Sequence, residues 1–117
     1  MSVKKVNVGN IVCGADELFL ISGPCVIEGE SIMMKTAEKL KEVSEKLNIP
    51  IIYKSSFLKD NRSSLSYYKG PGMAEGLKIL AKVKEQFGFT LLTDIHYPDQ
   101  AAPAGEVCDV LQIPAYL

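Results

Sequence analysis

Residues 18–24 read Leu18-Phe19-Leu20-Ile21-Ser22-Gly23-Pro24, an apolar run that ends at a small polar residue, a glycine and a proline. A continuous apolar run of this length is typical of a strand buried on both faces of a parallel sheet, so we predict the first such strand at 18–21. Three further segments rich in apolar residues, at 51–53, 89–93 and 109–113, predict three further strands. The sequence therefore predicts a four-stranded parallel sheet.

The segments between these runs have helical periodicity. Apolar residues at helical spacing predict a helix from Ser31, its expected N-cap, to residue 47, where Asn48 and Pro50 stop it. A second helix is predicted from Pro71 or Met73 to residue 87, before Gly88, and a third over 98–107. Alternating strands and helices indicate an α/β fold, either an open doubly wound sheet or part of a closed barrel.

The N-terminal segment has a different pattern. Residues 3–8 alternate apolar and polar side chains, Gly9-Asn10 follows, and residues 11–13 are again apolar. This pattern predicts a small β-hairpin, which we expect to close one end of the core.

Composition excludes several classes of function. The net charge is only −1, from 13 basic and 14 acidic residues mixed along the chain, so no nucleic acid or membrane partner is indicated. The three cysteines include no CxxC pair, which argues against a disulfide framework or a structural zinc site and favours the cytoplasm. We assign Cys13 and Cys108 to core packing. No targeting segment or membrane span is found.

Ligands of parallel α/β folds bind at the C-terminal ends of the strands, where Cys25, Lys54, Asp94 and Gln112 fall. Lys54 either binds an anion there or extends its ammonium to water. Asp94 and His96 are two residues apart, so they are expected to point the same way. They share a ligand or a metal, or else His96 makes a structural hydrogen bond. The long polar segment after the second strand crowds together groups that suit phosphate oxygens: Lys59, Asn61, Arg62, Ser63 and Ser64.

These motifs, in this order and spacing, resemble the 3-deoxy-D-manno-octulosonate 8-phosphate synthase family. The matching segments are Ser22-Gly23-Pro24-Cys25-Val26-Ile27-Glu28, Tyr53-Lys54-Ser55-Ser56-Phe57, Lys59-Asp60-Asn61-Arg62-Ser63-Ser64, Gly70-Pro71-Gly72, Leu92-Thr93-Asp94-Ile95-His96 and residues 109–117. The resemblance implies a (β/α)8 TIM barrel, usually a homotetramer, that condenses phosphoenolpyruvate with arabinose 5-phosphate and releases phosphate in lipopolysaccharide precursor synthesis.

The resemblance also implies roles for matching positions. Lys54 is expected to bind phosphoenolpyruvate, and Gln112 to lie near the same substrate. Ser55, the next residue after Lys54, is also expected to contact substrate. The aldose is expected to meet Lys59, Asn61 and Asp94, and its phosphate to meet Arg62 and Ser63, in a neighbouring subunit. Lys54, Asn61 and Asp94 are the implied catalytic residues. Cys25, where metal-independent members have asparagine, implies a divalent transition metal, namely Fe, Zn, Mn or Co.

A complete barrel needs about 250 residues, so residues 1–117 are expected to form the N-terminal portion of a single barrel domain, with four strands and the hairpin. The other metal ligands and several substrate contacts are then expected elsewhere, and the isolated chain is expected to be inactive. Two alternatives remain open. One is a synthase of the 3-deoxy-heptulosonate 7-phosphate type, and the other is a non-catalytic α/β module that binds anions.

Overall fold

The computed structural model describes residues 2–60 and 64–115. Two short strands, β1 (Val6–Val8) and β2 (Ile11–Cys13), form an antiparallel hairpin. Four strands then pair in parallel in the order β3-β4-β5-β6. Their bounds are Leu20–Ser22 for β3, Ile51–Lys54 for β4, Thr90–Asp94 for β5 and Val110–Gln112 for β6. The predicted hairpin and four-stranded parallel sheet are confirmed.

The helices connect the parallel strands. They are α1 (Glu30–Leu47), α2 (Met73–Phe87) and α3 (Ala101–Val107), the last preceded by a 3₁₀ turn at Pro98–Gln100. Asn48 and Gly88 end the first two helices in the left-handed conformation, which asparagine and glycine adopt most easily. The predicted N-cap Ser31 is wrong. Gly29 is the N-cap of α1, and Glu30 places a carboxylate in the first turn, where the helix dipole favours it.

The sheet has two differently covered faces. Ile51, Tyr53 and Leu91 belong to the larger apolar cluster that includes buried residues of all three helices. Ile52 and Leu92 point to the opposite face, which we call the inner face, and cluster there with Ile11 of the hairpin. Because side chains alternate along a strand, the two central strands are covered on both sides. The hairpin therefore closes the N-terminal end of the inner face, as the sequence predicted.

The two outer strands differ from the prediction. Leu20 and Ile21 of β3 are 44% and 47% exposed, and Leu18 precedes the strand, so the expectation of a first strand at 18–21 buried on both faces is wrong. The reason is position: β3 pairs with β4 on one side only within the described residues. An apolar run shows that a strand is able to lie in a core, but the elements that pack beside the strand determine how much of it is buried.

Candidate functional site at the strand ends

Charged and polar side chains occupy the C-terminal ends of the central strands on the inner face. Lys54 lies two residues beyond Ile52, and Asp94 lies two residues beyond Leu92. Side chains two apart share a face of a sheet, so both charged groups follow the apolar inner cluster. Gln112 stands beside Asp94 in the register of β5 and β6. Strand alternation thus brings together three residues that were predicted from the sequence.

Backbone and side-chain hydrogen bonds fix the segment after β3 against the segment after β4. The Ser56 amide donates to the Cys25 carbonyl at 3.3 Å, and the Ile27 amide donates to the Ser56 carbonyl at 3.0 Å. The Ser55 hydroxyl donates to the Pro24 carbonyl at 2.6 Å. Cys25 is exposed at the rim, whereas the Ser55 side chain is fully buried. Ser55, predicted to contact substrate, therefore anchors the segment that carries Cys25.

A chain of polar contacts runs across the rim. The Lys59 ammonium donates to the Ser56 hydroxyl at 2.8 Å, and that hydroxyl donates to the Asp94 Oδ1 atom. The other Asp94 oxygen, Oδ2, lies 2.9 Å from Nε2 of His96. On the far side of the imidazole ring, Nδ1 lies 3.4 Å from Oδ2 of Asp60. Five side chains are therefore linked, which confirms the prediction that Asp94 and His96 point the same way.

Two adjacent cavities meet at Lys54 and Lys59, which line both of them. The first, which we call the carboxylate cavity, has a volume of about 210 Å³. Its other lining residues are Ser56, Asp60, Asp94, His96, Gln112 and Pro114. The second, the thiol cavity, has a volume of about 300 Å³. Its other lining residues are Ile21, Ser22, Gly23, Pro24 and Cys25.

The two lysines at this junction are not neutralised by nearby carboxylates. Among the described residues, neither Lys54 nor Lys59 has an acidic side chain within ion-pair distance. Asp94 and Asp60 instead face His96. The carboxylates of the carboxylate cavity are thus engaged with the imidazole, and the two ammonium groups remain available for an anion.

The structure gathers most of the predicted site residues at these cavities. Cys25, Lys54, Lys59, Asp94 and Gln112 all line one or both of them. Asn61, Arg62 and Ser63 lie outside the described residues, so their predicted roles stay predictions. Sequence reasoning missed Ser56 and Asp60. Ser56 comes two residues after Lys54, a spacing that could have indicated it, whereas Asp60 had no comparable signal.

Cys25 provides a single candidate metal ligand. A thiolate at an exposed rim suits a transition metal, but residues 2–60 and 64–115 contain no group of three or more His, Cys, Asp or Glu side chains able to hold an ion. The described residues therefore supply one candidate ligand of a metal site. The other two cysteines follow the prediction of core packing: Cys13 contacts the Ile11 cluster, and burial raises the pKa of the Cys108 thiol to about 12.

None of the helices in the described ranges combines the length and the apolar character that a bilayer crossing requires.

Comparison with known proteins gives consistent matches over almost the whole chain. The sequence model of the DAHP synthetase I family matches residues 2–117. The 2-dehydro-3-deoxyphosphooctonate aldolase of Geotalea uraniireducens is 52% identical over 116 residues, which are 98% of this chain and 43% of the relative. The protein of the same name from Campylobacter jejuni strain RM1221 is 54% identical over 101 residues, 86% of this chain and 37% of the relative. The chain thus spans less than half the length of these relatives.

Proposed function

We propose, since the chain belongs to the DAHP synthetase I family, that it forms part of a site that condenses phosphoenolpyruvate with arabinose 5-phosphate. The product is 3-deoxy-D-manno-octulosonate 8-phosphate, and inorganic phosphate is released. The observation that carries the proposal is the pair of lysines without carboxylate partners among the described residues, at the junction of two cavities. A phosphorylated carboxylic acid is the kind of ligand that such a pair attracts.

Lys54 is proposed to hold phosphoenolpyruvate. Lys59, which the resemblance assigns to the aldose, lines the same two cavities and is proposed to contact phosphoenolpyruvate as well. Both cavities stand partly open to water, so the attraction of each ammonium for an anion is weaker than in a fully buried site but stronger than on a free surface. Gln112 lines the carboxylate cavity and is proposed to donate an amide hydrogen to the same substrate.

The aldose is proposed to enter the carboxylate cavity. Asp94 already accepts from Ser56 and contacts His96, yet each carboxylate oxygen has a further lone pair for a sugar hydroxyl. Asn61, Arg62 and Ser63 are proposed to bind the sugar and its phosphate, as the resemblance to the family implies. Lys54, Asn61 and Asp94 are the proposed catalytic residues.

Cys25 is proposed to bind a divalent transition metal, Fe, Zn, Mn or Co, together with ligands from outside the described residues. Such a metal would polarise the aldehyde of the sugar, and the thiol cavity places Cys25 on the other side of the lysine pair from Asp94. Cobalt binding followed by its thiolate absorption band tests this role. Loss of the band in Cys25→Ser, but not in Cys13→Ser, is expected, and an equal band in both variants would contradict it.

Homo-oligomeric assembly and a cytoplasmic location are further proposals. They are supported by the apolar residues exposed on the outer strands and by the three cysteines, all of which are free thiols.

Phosphoenolpyruvate binding to the purified chain, measured by calorimetry, tests the proposal. Each ammonium lost is expected to lower affinity by at least about tenfold, since hydrogen bonds to charged groups contribute roughly 1.5–3 kcal/mol. Lys54→Ala and Lys59→Ala should therefore bind weakly, whereas Lys78→Ala, which removes an exposed lysine of α2, should bind as the unmodified chain does. Equal binding by all three variants would refute the assignment.

Two further measurements separate the alternatives. Binding of arabinose 5-phosphate, rather than of erythrose 4-phosphate, to the chain that already holds phosphoenolpyruvate favours the octulosonate reaction over the heptulosonate reaction. The chain alone, mixed with phosphoenolpyruvate, arabinose 5-phosphate and added metal, is expected to release no phosphate, because the described residues supply one metal ligand. Turnover would contradict that expectation. A non-catalytic module would bind phosphate and phosphoenolpyruvate with similar affinity and show no selectivity for the aldose.

A further inference from the structure

The only histidine of the sequence is held between two carboxylates. His96 has a side chain that is 3% exposed, with Nε2 at 2.9 Å from Asp94 and Nδ1 at 3.4 Å from Asp60. Its backbone amide donates to the Gln100 side chain at 2.8 Å, which fixes the start of the 3₁₀ turn. Two contacts thus hold the ring and a third holds the backbone that carries it.

The ring is poorly suited to a role in core packing alone. Among the described residues no group makes a hydrogen bond to Nδ1, and a buried polar atom without such a bond lowers stability. Phe57, whose ring centroid is 6.4 Å from that of His96, already provides an apolar neighbour. An apolar side chain would bring no unbonded nitrogen into this position, so packing alone does not account for the imidazole.

The ring acts on the cavity through Asp94. With Oδ2 held by His96, the carboxylate cannot rotate freely, and Oδ1 stays directed at the Ser56 hydroxyl. A hydroxyl has one hydrogen and two lone pairs, so donation to Asp94 turns a lone pair of Ser56 towards the Lys59 ammonium. The orientation of the ring therefore influences the position of the Lys59 ammonium through Asp94 and Ser56.

We propose that His96 is a positioning residue, braced by Asp60, that fixes Asp94 and Ser56 so that Lys59 faces the phosphorylated substrate. The inference rests on the proposed function only in naming that substrate. Asp60, at 32% side-chain exposure, is the outer support of the ring, and it joins the segment after β4 to the end of β5.

Nitrogen NMR of the single imidazole tests the contacts without any substrate. With one histidine in the chain, a ¹⁵N-labelled sample gives one pair of ring-nitrogen signals. Asp94→Asn is expected to shift the Nε2 signal and Asp60→Asn the Nδ1 signal, while Asp99→Asn, a change on the nearby 3₁₀ turn, leaves both in place. Ring signals that are unchanged in both Asp94→Asn and Asp60→Asn would overturn the proposal.

Phosphoenolpyruvate titration tests the consequence for binding. His96→Phe is expected to weaken binding about tenfold, because the loss of a charge-assisted hydrogen bond leaves Asp94 free to rotate. His96→Gln, whose amide nitrogen can take the place of Nε2, should restore affinity to within about threefold. Wild-type affinity in a folded His96→Phe variant would overturn the positioning role, and so would equal losses in both variants with equal melting temperatures.

A second variant tests the same contacts if His96→Phe does not fold. If His96→Phe does not fold, Ser56→Ala, which breaks the same chain of contacts one step later, should weaken phosphoenolpyruvate binding by a similar factor and leave the His96 Nδ1 signal unshifted. Undiminished binding by Ser56→Ala would overturn the proposal. If the unmodified chain does not bind phosphoenolpyruvate, the proposed function fails, and the ring-nitrogen shifts decide the positioning contacts on their own.

Discussion

Replacing Gly23 with alanine is expected to destabilise the sheet at the edge of the site. A Cβ atom built on Gly23 would lie 1.9 Å from the carbonyl oxygen of Lys54, with the Lys54 carbonyl carbon at 2.9 Å and the amide nitrogen at 3.0 Å. All three are backbone atoms, so no side chain can turn away to make room. The methyl group fits only if the end of β3 moves away from the end of β4.

The required movement sets the magnitude. Cβ atoms essentially never approach other heavy atoms within 3.0 Å, so the two strand ends must separate by about 1 Å. Overfilling a well-packed region costs typically 1–3 kcal/mol, and a clash with backbone belongs at the upper end, so we expect a loss of about 3 kcal/mol. Urea unfolding followed by circular dichroism measures it directly. The same shift displaces Cys25 and Lys54, so phosphoenolpyruvate binding should weaken as well.

Gly105→Ala is the matched control, since it adds the same methyl group elsewhere. Gly105 lies in α3 with no atom closer than 3.9 Å to the new Cβ, and alanine is better than glycine inside a helix by roughly 0.5–1 kcal/mol. The two variants should therefore change stability in opposite directions. Unfolding free energies for Gly23→Ala and the unmodified chain that agree within error would refute the close approach of the two strand ends.

Three further outcomes are expected. Ellman's reagent should modify exposed Cys25 rapidly and buried Cys108 only in denaturant; equal rates would contradict the burial. Burial raises the pKa of Tyr53 above its usual range and that of Cys108 from 9.0 to about 12. The folded state therefore keeps protons that the unfolded state releases. The contribution of Cys108 to stability should be constant below pH 9.0 and fall between pH 9.0 and about 12, and that of Tyr53 should begin to fall only above pH 10.0. Each fall is about 1.4 kcal/mol per pH unit, which alkaline urea titration checks. Because Ile21 and Ile113 are 47% and 79% exposed, light scattering should show self-association that Ile113→Lys reduces, and a stable monomer at high concentration would contradict it.

Much of the fold could be predicted because it depends on local sequence. The segments at 51–53 and 89–93 contain no charged residue and are apolar except for Thr90 and Thr93, and both strands are covered on two faces. Asn48 and Gly88 end helices for conformational reasons that the sequence displays directly. The exposure of Leu20 could not be predicted in this way, since its apolar character is the same whether or not a neighbouring strand covers it.

Some residues of the site could likewise be predicted from the sequence, and others could not. Lys54, Asp94 and Gln112 could be placed together because the ends of parallel strands meet at one edge of the sheet. Ser55 was assigned to the substrate, yet strand alternation turns it away from the inner face and towards the Pro24 carbonyl. Asp60 was missed because its approach to His96 depends on how the segment after β4 folds back, and no local pattern encodes that path.

The inner face explains why the lysine pair can attract an anion. Ile52, Leu92 and Ile11 form an apolar layer that the hairpin seals at the N-terminal end of the strands. Lys54 follows one side-chain step later on the same face, so its methylene stem continues the apolar layer while its ammonium meets the cavities. The apolar layer on the N-terminal side of Lys54 offers few polar groups to the ammonium, and a low dielectric there strengthens its attraction for a phosphate or carboxylate. The hairpin thus contributes Ile11 to the apolar layer that precedes Lys54 on the inner face, although none of its residues lines the carboxylate or thiol cavity.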